Sequence, residues 1–126
     1  MTPDPVSLAG LRVLVVEDHA DTRAIVELIL AAAGATVTTA ASAEDALVAV
    51  GGADIVVTDY RMGGETGTWL LARIQERPAP IPVLLMTGLA DINARELETA
   101  GFARILKKPV DPFRLCEEVL EVVRGQ

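Results

Sequence analysis

The hydrophobic positions of this chain fall into two alternating patterns. Short runs rich in β-formers, "LRVLVV" (11–16), "ATVTTA" (35–40), "DIVVT" (54–58), "PVLLMT" (82–87) and "ARILK" (103–107), predict five strands. Between and after them stand "ADTRAIVELILAAA" (20–33), "SAEDALVAV" (42–50), "GTWLLARIQER" (67–77), "ADINARELETA" (90–100) and "DPFRLCEEVLEVVR" (111–124). In these stretches apolar residues recur at three- and four-residue steps, the period of an amphipathic helix. Ile25, Leu28, Ile29 and Ala32 form the expected buried stripe of the first helix, and Leu115, Val119, Leu120 and Val123 that of the last.

Punctuation agrees with the pattern. Ser42 followed by Asp45 reads as a capping-box variant at a helix start. Gly34, Gly51-Gly52 and Gly101 follow helical stretches, and Pro112 sits where a first helical turn begins. Strands one, three and four are nearly continuous apolar runs, as parallel strands covered on both faces should be. Strand two carries Thr36, Thr38 and Thr39 and suits an edge. Alternating βα units of this length give an α/β, doubly wound, five-stranded parallel sheet in a single domain.

Composition narrows the function. Charged residues make up 23% and hydrophobic residues 51%, a globular balance over 126 residues. Aromatics are only 3%, so Val, Leu, Ile and Ala must build the core. The net charge of −7 argues against a nucleic-acid surface. A single cysteine, Cys116, excludes an internal disulfide or a cysteine-based zinc site and fits a reduced, cytoplasmic setting; it reads as a small apolar residue of the last helix. No apolar run reaches the ~18–20 residues that span a bilayer. Residues 1–9 lack the pattern of a signal peptide and read as a proline-punctuated leader or linker to a domain over 10–126.

In an open parallel sheet, ligands gather beyond the carboxyl ends of the strands. Strand one is followed there by Glu17-Asp18, strand three ends at Asp59, strand four at Thr87-Gly88 and strand five at Lys107-Lys108-Pro109. Two carboxylates ~5 Å apart repel by about 3 kcal/mol at an effective dielectric of ~20. Three of them with one lysine are unbalanced, so one stays protonated or a cation joins them. Oxygen ligands with room for water favour Mg²⁺ over zinc. A carboxylate beside Mg²⁺ and a lysine is placed to attack phosphorus, giving an aspartyl phosphate.

"VLVVED", "VVTDYRM…G", "LLMTG" and "ILKKP", in this order and at these separations, resemble the receiver domain of a two-component response regulator. The resemblance runs from Leu11 to Arg124 and implies a flavodoxin-like, CheY-like fold with strand order 2-1-3-4-5. It implies Asp59 as phosphoacceptor, with Thr87 as the switch hydroxyl and Lys108 as the lysine that pairs with the phosphoryl group. It implies a Mg²⁺ site made of Asp18, Glu17, Asp59 and the backbone carbonyl of Arg61. Gly88 falls where a small residue leaves the phosphoryl group accessible, and the Lys108-Pro109 peptide is expected to be cis. The implied partner is a histidine kinase or a histidine phosphotransfer protein. The domain catalyses its own phosphorylation and dephosphorylation and is otherwise a switch, not an enzyme. It is expected as a monomer or weak dimer, either stand-alone or excised from a hybrid histidine kinase; the leader favours the second.

Two departures stand out. The family loop usually reads Met-Pro after the phosphoacceptor, and here it is Met62-Gly63-Gly64, with Thr66 as the expected N-cap of the following helix. Three residues before the site lysine, most receivers carry Tyr or Phe, and here stands Ile105. These two features are the support for an alternative, a non-phosphorylated pseudo-receiver acting as a constitutive protein-interaction module. A Mg²⁺-dependent phosphatase with an aspartyl nucleophile is a further rival, but Arg61 stands where such enzymes usually place a second acid. His19 reads as a polar helix-start residue and Trp69 as packing.

Overall fold

The computed structural model describes residues 6–88 and 94–125. Five parallel strands, β1 (Arg12–Val16), β2 (Thr36–Ala40), β3 (Ile55–Asp59), β4 (Val83–Thr87) and β5 (Arg104–Lys107), are ordered β2-β1-β3-β4-β5. They alternate with α1 (Ala20–Ala32), α2 (Ala43–Ala49), α3 (Gly67–Gln75), α4 (Ala94–Ala100) and α5 (Pro112–Val123). The expected winding and strand order are both present, and β2 is an edge as its threonines suggested. The opening of the expected fourth helix, residues 90–93, lies outside the described residues.

Alternation along the strands divides the core into two layers. Val13, Val15, Ile55, Val57, Leu84 and Met86 point to the side covered by α1 and α5. Leu14, Val16, Val56 and Val83 point to the side of α2 and α3, where they meet Ala46, Leu70 and Ile74. Every residue of β4 is buried, which explains its apolar run from Val83 to Met86. The local signals act as expected: Ser42 Oγ accepts from the Asp45 N–H, Thr66 Oγ1 from the Trp69 N–H, and Pro112 occupies the first turn of α5 behind its cap Asp111.

The stripe expected on α1 is out of phase. Leu28 is 69% and Ile25 58% exposed, whereas Val26 and Leu30 are the buried positions. Residues 24–33 are apolar except for Glu27, so Val26, Ile29, Leu30 and Ala33 satisfy the same three- and four-residue template. Spacing alone does not choose between the two phases; contact with the sheet and α5 does. On α5 the charges leave one phase, and Leu115 and Val119 are buried as expected. Ahead of β1, Leu8 is fully buried and its N–H donates to the Ala33 carbonyl, so the segment entering the sheet is packed onto α1.

Candidate functional site

All five strands run the same way, so their carboxyl ends share one rim. β1 stops at Val16, and the Glu17 N–H donates to the carbonyl of Ala40, which carries the acid pair one step past the strand. The Lys108 N–H donates to the carbonyl of Thr87, extending the β4–β5 ladder by one residue and setting the lysine over the same rim. The peptide that follows, Lys108-Pro109, is cis, as expected.

These constraints bring three charged groups together. Lys108 Nζ donates to Asp59 Oδ2 at 2.8 Å and to Glu17 Oε1 at 3.1 Å. Asp59 Oδ1 accepts the backbone N–H of Tyr60 at 2.8 Å. The other oxygen of Glu17, Oε2, is buried without a hydrogen-bond partner. Such an orphan costs free energy unless something at the site satisfies it. Burial and the neighbouring Asp59 charge push the Glu17 carboxyl above the usual carboxylate range, against the pull of Lys108. For Lys108, burial works to lower the pKa, but the hydrogen bonds to Asp59 and Glu17 prevail and hold it above the ordinary lysine value.

Asp18, His19, Arg61, Gly63 and Gly88 line the same cleft, an open hollow of about 630 Å³. Asp18 is exposed, and its Oδ2 accepts the N–H of Gly63 at 3.0 Å. Thr87 is buried beside this group, one residue beyond the Asp59–Met86 register pair; its hydroxyl donates to the carbonyl of Gly88 at 3.4 Å. A side chain at Gly88 would meet open space. His19 occupies the N-cap position of α1 without capping it, its Nδ1 lying 3.5 Å from Thr22 Oγ1. Cys116 lies in the core, and burial pushes its thiol pKa up. Ile105 is half-buried on β5, opposite Leu85.

Two supports escaped sequence reasoning. Arg23 donates from Nη1 to the carbonyls of Glu17 at 2.8 Å and Asp18 at 3.5 Å, fixing the backbone of the acid pair from within α1. Its sign was the one basic residue in that helix, five positions after Asp18. Gly67 opens α3, and a Cβ there would stand 2.5 Å from the carbonyl oxygen of Asp59. Only glycine lets α3 start so close to the end of β3.

Among the described residues no group of three or more acids, histidines or thiols forms a ready-made metal cage. Mg²⁺ asks for less: one or two carboxylates, with water in the remaining positions. Glu17 and Asp18 supply hard oxygens, and the orphaned Glu17 Oε2 is a buried acceptor that lacks a partner, so the residues present fit that ion.

The model of the response regulator receiver domain family matches residues 13–120. The chain is a receiver domain. It is 34% identical over 118 residues to an uncharacterized 14.6 kDa protein of Leptolyngbya boryana, covering 90% of each chain. It is also 34% identical over 115 residues to the transcriptional regulatory protein FixJ of Bradyrhizobium diazoefficiens, but spans only 56% of that protein's length. Of the DNA-binding transcriptional regulator NtrC of Salmonella typhimurium, 35% identical over 102 residues, it spans 22%. Among solved structures, a receiver domain protein from Clostridium thermocellum matches with a TM-score of 0.85 at 25% identity, covering 91% of this chain and 95% of that one. A response regulator receiver protein from Pseudomonas putida matches with a TM-score of 0.80 at 30% identity, covering 90% and 98%. This receiver domain therefore belongs to two-component signalling, and its four motif-bearing segments meet at one rim. No helix among its described residues is long and apolar enough to cross a membrane.

Proposed function

We propose that this receiver accepts a phosphoryl group on Asp59 from the phosphohistidine of a histidine kinase or histidine phosphotransfer protein, with Mg²⁺, in the cytoplasm. The observation that carries the reading is the bridge from Lys108 Nζ to Asp59 and Glu17, with one Glu17 oxygen left over. That cluster holds more negative charge than its lysine balances, the condition under which a carboxylate site takes up a cation.

An oxygen of Asp59 attacks the donor's phosphorus. A P–O bond forms to the aspartate, the P–N bond to the donor breaks, and the imidazole departs with the bonding pair and takes a proton from water. Lys108, already within hydrogen-bond reach of Asp59, follows the charge onto the phosphoryl oxygens. Thr87, released from the Gly88 carbonyl, is the hydroxyl placed to meet one of those oxygens. Glu17, Asp18 and the carbonyl of Arg61 would hold Mg²⁺, which when bound neutralises charge on the transferring group. Water later cleaves the acyl phosphate and restores the carboxylate, so the domain turns over only its own modification. With Ile105 on β5, output does not run through an inward-turning aromatic ring at that position.

The test is the intact mass of the protein after incubation with acetyl phosphate, with and without Mg²⁺, for wild type and Asp59→Ala. One phosphoryl adduct is expected, requiring both Mg²⁺ and Asp59. Absence of an adduct together with absence of Mg²⁺ binding by titration would replace this reading with a constitutive interaction module.

A further inference from the structure

The loop from β3 to α3 is joined to the acid pair where the Gly63 N–H donates to Asp18 Oδ2 at 3.0 Å. Nothing else about this position calls for glycine. Its φ is not in the left-handed region, and a Cβ would stand 3.7 Å from that same oxygen, an ordinary contact. Its chemical contribution is therefore the amide proton. Proline, the residue that most resembling loops carry here, has none.

We propose that Gly63 is a positioning residue for the cation site: its N–H holds the Asp18 carboxylate over the rim. Asp18 is exposed, and a free carboxylate there would sample several rotamers in water. One N–H on Oδ2 fixes its orientation and leaves the remaining lone pairs for a cation. Hydrogen bonds that orient ligating carboxylates act on metal affinity in this way. The same bond ties the loop to the acid pair. The inference rests on the reading of the rim as a Mg²⁺ site.

Calorimetric titration of the full chain with MgCl₂ tests it, comparing wild type, Gly63→Ala and Gly63→Pro. Alanine keeps the N–H and fits the backbone; proline removes the donor. Mg²⁺ affinity is expected to fall about threefold to tenfold in Gly63→Pro and to stay within about twofold in Gly63→Ala. Wild-type affinity in Gly63→Pro would overturn the proposal. So would an equal loss in both variants, which would assign the effect to loop freedom. No Mg²⁺ binding by wild type would remove the cation site and this role together, whereas binding that is indifferent to the donor removes the role alone. Should the proline variant not fold, hydrogen exchange at the Gly63 amide in metal-free protein decides the matter. Exchange is expected to quicken several-fold in Asp18→Ala, and an unchanged rate would overturn the proposal.

Discussion

Two ion triads in this molecule are mirror images in charge. Between β5 and α5, Glu118 accepts from Arg104 Nε at 2.9 Å on one oxygen and faces Arg114 Nε at 3.3 Å with the other. At the strand ends, Lys108 stands 2.8 Å from Asp59 and 3.1 Å from Glu17. The first triad uses both oxygens of Glu118, and the charge of Arg114 is solvated, its side chain being 66% exposed. The second carries surplus negative charge, buries Glu17 and leaves one of that residue's oxygens without a partner. Water screens Arg114 freely, whereas Glu17, at 2% side-chain exposure, is largely cut off from it. The difference separates a cluster whose acid has both oxygens engaged from one that leaves a buried acceptor unmet.

The strongest way to break the contrast is to remove the central cation. Lys108→Ala leaves Asp59 and Glu17 facing each other with nothing between them. Breaking a buried pair costs ~3–5 kcal/mol, and partial exposure of the lysine brings the expected loss to about 2 kcal/mol. Urea denaturation at neutral pH in EDTA measures it. A loss no larger than that of an ordinary surface lysine would mean that water already screens the cluster. The raised pKa of Lys108 has its own signature: its ionised form is favoured in the fold, so this contribution is present below the ordinary lysine pKa. It disappears only as pH climbs through the higher folded value.

Neutralising the deficit has the opposite sign. Glu17→Gln keeps the side chain's shape and removes the buried charge, so metal-free stability at neutral pH is expected to rise by about 1 kcal/mol while Mg²⁺ affinity falls. Because the Glu17 carboxyl is raised by burial and by Asp59, the fold disfavours its ionised form. Below the ordinary glutamate pKa both states are protonated and there is no penalty. As pH rises through that value and then through the folded one, metal-free wild type loses stability that Glu17→Gln retains. Denaturation of the pair in EDTA from about pH 4 to pH 8 should show curves that separate upward with pH. Parallel curves would deny that Glu17 is the buried, unsatisfied member of the cluster.

Most of the fold was legible in the sequence because its central strands are apolar on both faces and its turns carry glycine, proline or a cap. The rim acids, Asp59, Thr87 and Lys108 were legible for a related reason. Strand ends are fixed by where the apolar runs stop, and in a parallel sheet all the stops share one edge. What was not legible depended on choices among equivalent patterns. Residues 24–33 of α1 admit two apolar phases, and only packing selects Val26 and Leu30 over Ile25 and Leu28. The roles of Arg23 and Gly63 rest on side-chain reach and on one amide direction, neither of which periodicity encodes. Gly67 needed a distance, since a glycine one residue after a cap looks ordinary until the Asp59 carbonyl is seen against it.

The smallest expected effect belongs to the completed triad. Glu118→Gln removes the acid shared by Arg104 and Arg114, yet both side chains have access to solvent, at 36% and 66% exposure. Exposed and half-exposed pairs contribute about 0.2–1 kcal/mol, and that is the loss expected here at low salt. Because the surplus charge is solvated, the loss should shrink further as ionic strength is raised toward ~1 M, where screening acts within a few ångströms. The cost of Lys108→Ala, between a buried Glu17 and a mostly buried Asp59, should depend less on salt. Denaturation of both variants at low and high salt compares the two slopes directly. If the Glu118 loss proved salt-insensitive and as large as the Lys108 loss, the two triads would be energetically alike. The strand-end cluster would then no longer be distinguished by its charge, and the proposal of a cation site there would lose its electrostatic ground.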